Sequence, residues 1–423
     1  MTFFCGRLPR HTLLPLLVLT FTAQAQHNTP LTLAEAEDLA LAAEPGQQAL
    51  QARAAALDER AVIAGELPDP LLRVGLNNYP IQSGNFSTEG MTHVAVGLRQ
   101  AFPAGKTRSI SARQFGLLAA EMNGNADARG RNVLSAVRNA WLNRYYWEQA
   151  HGLVSESRPF FDDLATITRS LYAVGRKSQQ DVLRAELELS RLDDRLIDIE
   201  RQRSGAQAAL GEWVGIDARR PLANKVPGWK QVPRIEDLQG MLLNHPLLRA
   251  ADAQIDARGA GVDLAQQRSK PAWELDIGYS YRDGSLPSGE PRSDFITLGV
   301  TVGLPFFSKK SVDSTLSAAL QERSAARSSR ERILRTLQSE LAAEHSRWKD
   351  LTRRLSLYDT RILKQAENNA EASMLAYQSD KGDFAEVMRA YVDDLNTRID
   401  HIRLQVERAQ SYAALANLGG LPR

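Results

Sequence analysis

Two stretches of the chain alternate strictly between apolar and polar residues, and each is followed by a partner of the same kind. Leu72, Val74 and Leu76 alternate with Arg73, Gly75 and Asn77; after a polar loop, Val94, Val96 and Leu98 alternate with His93, Ala95, Gly97 and Arg99. The second pair is cleaner. Trp273, Leu275, Ile277, Tyr279 and Tyr281 alternate with Glu274, Asp276, Gly278, Ser280 and Arg282. Ile296, Leu298, Val300, Val302 and Leu304 then alternate with Thr297, Gly299, Thr301 and Gly303. A period of two marks strands whose faces meet different surroundings.

The rest of the chain reads as helix. Thr32 and Glu35 have capping-box spacing, and Pro45 begins an Ala-rich helix to about Ala64, closed by Gly65 and Pro68. After each strand pair a polar segment runs without a strong breaker, from Gly105 to Tyr172 and from Lys309 to Tyr377. Each has about 68 residues, or about 100 Å of helix. The return segments, Ser178 to Gly215 and Asp383 to Gly419, amount to about 57 Å, and the short helices before the strands to about 30 to 35 Å each. One short helix stacked on one return helix therefore nearly matches one long helix. Two interruptions are expected in the first long helix: a kink at Pro159 and a weak point at Asn123-Gly124-Asn125.

The plan occurs twice. "YAVGRKSQQDVLRAELE" from Tyr172 matches "YQSDKGDFAEVMRAYVD" from Tyr377, and "AALGEWVG" from Ala208 matches "AALANLGG" from Ala413. Upstream, the segment from Glu44 to Pro70 resembles the segment from His245 to Pro271. The expected organisation is a signal peptide over 1–25, a first structural repeat over 26–230 and a second over 231–423.

A soluble sandwich would need a second sheet, and the remaining sequence offers only helices. The polar face carries Arg73, Arg99, Glu274, Asp276 and Arg282, so it must be wet. Strands of about ten residues, apolar on one face and charged on the other, fit a transmembrane barrel with a polar lumen. Four strands cannot close one, since even small barrels take about eight, so closure requires several copies in a ring.

The N-terminus supports export. Arg7, Arg10 and His11 precede the apolar run Leu13 to Phe21, and Ala23-Gln24-Ala25 supplies an A-x-A exit. Cleavage there removes Cys5, the single cysteine, which excludes a disulfide scaffold and an N-terminal lipid-bearing cysteine. No later segment has the length of a transmembrane helix. Lys+Arg of 52 against Asp+Glu of 50 gives no electrostatic case for nucleic acid.

Candidate chemistry is sparse. "PAGKT" at Pro103 to Thr107 lacks the phosphate-loop glycine, because Gln100 stands five residues before Gly105. His93, His151, His245, His345 and His401 show no ligand spacing. No nucleophile–base set stands out. The expectation is therefore no enzyme, no cofactor and no metal site.

With its duplicated strand pairs and tyrosine-led hairpins, the chain resembles the TolC-type outer membrane efflux family over nearly all of its mature length. "LPDPLLRVGLNNYP", "MTHVAVGLRQAFPAGKTRS", "SQQDVLRAELE" and "KGDFAEVMRAY" look most like its heavy-metal (CzcC/CusC-like) branch. The resemblance implies a mainly α fold with a four-stranded β contribution. Long α-helical hairpins form a periplasmic α-barrel, and trimerisation closes a twelve-stranded transmembrane β-barrel. It also implies an outer membrane duct that passively conducts heavy-metal cations from an inner-membrane RND-type pump and a periplasmic adaptor to the exterior, with drug efflux or type I protein secretion as the alternative use of the fold.

Charges cluster at the hairpin tips: Lys177, Asp181 and Arg184 after the first turn, and Asp380, Asp383, Glu386 and Arg389 at or after the second. In a trimer each becomes a ring of three, and an acidic ring at a constriction favours cations. By similarity to the family's gate, Tyr377 bonds Asp181 of an adjacent hairpin and Glu386 narrows the pore. The competing reading is that these charges solvate the turns and cap the returning helices.

Overall fold

The computed structural model describes residues 29–421 except 43, 230, 307 and 380. The expected signal peptide, 1–25, and Asp380 therefore lie outside the described residues. The elements run α1 (Leu33–Ala42), α2 (Pro45–Gly65), β1 (Leu71–Asn77), β2 (His93–Phe102), α3 (Thr107–Ala173) and α4 (Gln179–Val214). They continue with α5 (Ile235–Leu242), α6 (Pro246–Gln267), β3 (Ala272–Tyr281), β4 (Phe295–Gly303), α7 (Lys309–Leu357), α8 (Leu363–Gln378) and α9 (Phe384–Gly419). A 3₁₀ turn over Gly215–Arg219 ends α4, and a π-helical turn over Tyr358–Ile362 joins α7 to α8.

The strands form one antiparallel sheet in the order β1-β2-β3-β4. Its register lines up the apolar rows: Leu72 with Leu98, Ile277 and Leu298, and Val74 with Val96, Tyr279 and Ile296. No element covers that face, and Ile296 and Leu298 remain 76% and 71% exposed. The other face lines a groove of about 300 Å³ with Arg73, Asn77, His93, Asp276, Ser280 and Thr297. Among the described residues no helix is long and apolar enough to cross a membrane.

Helix α3 is the spine, packed against α1, α2, α4, α6 and α9. Its apolar stripe, Val133, Val137, Trp141 and Leu142, is fully buried in the largest core cluster. The segment after α4 is stitched to this stripe by arginines. Arg144 donates to the carbonyls of Ala218 (2.6 Å) and Arg220 (2.8 Å), and Arg220 pairs with Glu35 at 2.7 Å. Glu35 thus spends its carboxylate on Arg220, while its N–H takes the Thr32 cap at 3.2 Å.

Helix α3 continues through both positions where an interruption is expected. Helical structure runs through Pro159, flanked by the Arg158–Asp193 ion pair at 2.6 Å and by Phe160 packed on Tyr391 at 4.2 Å. Gly124 is a close crossing rather than a weak point: a Cβ there would sit 2.9 Å from Ala250 Cβ and 3.0 Å from its Cα. Glycine lets α3 and α6 approach this closely.

His245, buried before α6, caps that helix by accepting the Leu247 N–H on Nδ1 at 3.2 Å. That bond requires an unprotonated Nδ1, and burial, reinforced by Arg131, lowers the imidazole pKa from 6.5 to about 4. Between those values the unfolded chain binds a proton that the folded chain refuses. Stability is therefore full above about pH 6.5 and falls as the pH drops towards 4. His245→Asn, which keeps a capping oxygen, is expected to flatten this part of the pH–melting curve. A wild-type melting temperature that does not change between pH 7 and pH 4.5 would refute the assignment.

Candidate functional site: the hairpin tips and the exposed sheet

The two tips are built on one frame. In the first, the N–H of Gly175 donates to Tyr172 O (2.9 Å) and that of Arg176 to Leu171 O (2.9 Å), with Gly175 at φ 74°. This is a Schellman closure, which favours glycine at the left-handed position. In the second, the Lys381 N–H donates to Ala376 O at 2.9 Å, the equivalent six-to-one bond. Tyr172 and Tyr377 hold matching places, but their surroundings differ. Tyr172 is 45% exposed, whereas Tyr377 is 4% exposed, packed on Phe384 (5.5 Å) beneath Lys177 Nζ, 4.3 Å from the ring centre. A cleft of about 230 Å³ separates the hairpins here, bounded by Leu164, Ile167, Leu171, Lys177, Met374 and Tyr377.

The returning helices start alike. Ser178 caps α4 in a full capping box: the Asp181 N–H donates to Ser178 Oγ (3.3 Å), and the Asp181 carboxylate accepts from Ser178 N (3.2 Å) and Oγ (2.9 Å). Asp383 caps α9 by accepting the Ala385 N–H at 3.3 Å. Glu386 occupies the helical position that Asp181 holds in α4, but it is exposed, as are Arg184 and Arg389. None of these three makes an ion pair among the described residues. The structure thus brings Lys177, Tyr377 and the two caps together at one end and leaves Glu386, Arg184 and Arg389 pointing outward. Asp181 is engaged with Ser178 of its own hairpin.

Pattern reading missed the ties within and between the hairpins. Arg195 of α4 donates to Asn396 of α9 at 2.7 Å, and His401 of α9 meets Asp359 of the π turn at 2.7 Å. Arg403 reaches the Tyr146 hydroxyl at 2.9 Å. These pairs lie 42 to 257 residues apart, and no local period announces them.

At the other end, aromatic residues bracket the apolar face. Phe102 stacks on Trp273 (4.0 Å, 11°) where the sheet meets the helices, and Tyr279 and Tyr281 stand near the loops. Six to eight residues of strand separate them, about 20 to 26 Å. That is the height of the apolar band of an outer membrane barrel, girdled by aromatics at both interfaces.

A family model described as "Outer membrane efflux protein" matches residues 238–421. That part of the chain is similar to the outer membrane efflux proteins. The chain's fold is TolC-like over nearly its whole length. It is similar to CusC, at TM-score 0.76 and 15% identity, covering 94% of this chain and 95% of that one. It is likewise similar to the outer membrane protein VceC of Vibrio cholerae, at TM-score 0.75 and 17% identity, covering 92% and 96%. Among curated proteins, CyaE of Bordetella pertussis is 26% identical over 321 residues. That match takes in 72% of this chain and 66% of CyaE, so the chain spans just under two thirds of that relative's length. An outer membrane efflux protein lies in the outer membrane with its helices extending into the periplasm.

Proposed function

We propose that the protein is the exit duct of a tripartite efflux system, a passive channel fed by an inner-membrane pump through a periplasmic adaptor. Three copies, each processed near Gln26, close a twelve-stranded barrel from their four-stranded sheets, and their hairpins form the periplasmic tunnel. The two halves, 26–230 and 231–423, are copies of one plan. The observation that carries the reading is a four-stranded sheet, apolar and exposed on one face, whose edge strands β1 and β4 each lack an outer partner among the described residues. Such edges are stable in a membrane only when another copy pairs with them.

The cargo we propose is heavy-metal cations, on the strength of the strand and tip segments that resemble the CzcC/CusC-like branch. Among the described residues no cluster of His, Cys, Asp or Glu is suited to hold a metal, so the choice of cargo is assigned to the pump. Crosslinking of outer membranes is expected to give a trimer band, and the purified protein to form pores in planar bilayers. Deletion is expected to sensitise cells to zinc, cobalt, cadmium, copper or silver. Sensitivity confined to dyes, detergents or antibiotics would move the cargo to organic compounds, and a lost secreted protein would move it to type I secretion. A soluble monomer of normal helicity would end the duct reading.

A further inference from the structure

Within the strand bounds the polar face carries four charged side chains, Arg73, Arg99, Glu274 and Asp276, while Arg282 lies one residue past β3 and donates to the Ser293 carbonyl in the loop. Glu274 and Asp276 are two residues apart on β3 and point the same way, so their carboxylates lie within about 7 Å along the strand. Arg99 stands directly across from Asp276 in the register. Its Nε donates to Asp276 Oδ1 at 2.7 Å, and its Nη1 lies 3.4 Å from Glu274 Oε2. The neighbouring positions in these rows are Ala101, Gly299 and Thr301, none of them charged. Arg73 sits one row further on, opposite Gly97, is exposed, and makes no ion pair among the described residues.

We propose that Arg99 determines the ionic selectivity of the barrel wall by holding Glu274 and Asp276 against their own field. The inference rests on the duct reading, in which this face lines the lumen. With Arg99 in place, two arginines balance two carboxylates and the strands' polar wall carries no net charge. Without it, Arg73 alone stands against two carboxylates, so each chain's strand face carries a net charge of −1 and a ring of three chains −3. A low-dielectric wall focuses such a field into the pore and enriches cations there. Arg99 keeps the barrel indifferent to the sign of its cargo, and discrimination is left to the periplasmic end.

The test is the potassium-to-chloride permeability ratio of the full-length channel in planar bilayers at low salt, where wall charge is least screened. Arg99→Met is expected to raise the ratio severalfold, and Arg99→Lys to leave it near wild type. Glu274→Gln alone is expected to lower it, and so tests the balance from the other side without touching Arg99. Arg99→Met with Glu274→Gln restores the local charge and is expected to return the ratio towards wild type. Wild-type protein that forms no pore would defeat the duct reading itself. Pores in which Arg99→Met and Glu274→Gln both keep the wild-type ratio would overturn this inference alone.

Discussion

Glu37→Ala is expected to destabilise the protein by about 3 to 5 kcal/mol, the cost of leaving one partner of a buried ion pair uncompensated. Glu37 on α1 and Arg138 on α3 meet at 2.6 Å, and their side chains are 3% and 4% exposed. The Arg138 guanidinium also lies 5.4 Å from the Trp229 ring centre, and Trp229 stacks on Tyr412 of α9 at 4.5 Å. The pair therefore joins the first helix, the spine, the segment after α4 and the last helix at one level. Removing the carboxylate leaves the Arg138 guanidinium buried in the core over the Trp229 ring. Thermal unfolding followed by circular dichroism should show a lower midpoint, with proteolysis beginning near α1. Glu37→Leu with Arg138→Met removes both charges and is expected to recover most of the loss, since a well-packed apolar pair often equals a buried salt bridge. If Glu37→Ala melts like wild type, water reaches Arg138 and the pair is not a structural tie.

What the sequence disclosed follows from the range of each interaction. Period-two alternation fixes a strand's faces within a few residues, so Leu72 to Leu76 and Ile296 to Leu304 were legible as half-apolar strands before any partner was known. Helix lengths and tips were equally local: the bounds at Ala173, Gln179, Gln378 and Phe384 fall within two residues of Tyr172, Ser178, Tyr377 and Asp383. What stayed hidden was tertiary. Pro159 costs a backbone hydrogen bond, but Arg158 and Phe160 beside it are anchored on α4 and α9, and the helix continues. The π turn over Tyr358–Ile362 contains neither glycine nor proline to announce it. It sits where Leu355 packs on Leu404 and where Tyr358 and Asp359 reach His401, contacts that only the folded hairpin supplies. The tip charges were legible as a cluster but not as individuals. Asp181 and Glu386 share a helical position, yet one closes a capping box and the other is exposed.

That difference decides what the tip variants should do. If the tips hold the periplasmic entrance closed in the assembled trimer, Asp181→Ala with Tyr377→Phe is expected to raise single-channel conductance without the pump. A charge-assisted hydrogen bond contributes about 1.5 to 3 kcal/mol, and threefold symmetry repeats it, which is enough to change the dominant state of a two-state gate. Glu386→Gln, which removes an exposed charge that caps nothing, is expected to weaken cation preference while leaving stability unchanged. Ser178→Ala separates the two roles of Asp181, because it breaks the capping box and leaves the carboxylate in place. A gate predicts that Ser178→Ala stays closed and that the Asp181 variant opens; a mere cap predicts that the two behave alike, each losing about 1 kcal/mol of helix stability. Glu340→Ala, on the exposed shaft of α7, should change neither conductance nor ion preference. Equal conductance in the Ser178 and Asp181 variants, with unaltered ion preference in the Glu386 variant, would reduce the tip charges to solvation of the turns and move the closure to the polar ties further up the hairpins, between Arg195 and Asn396 and between His401 and Asp359.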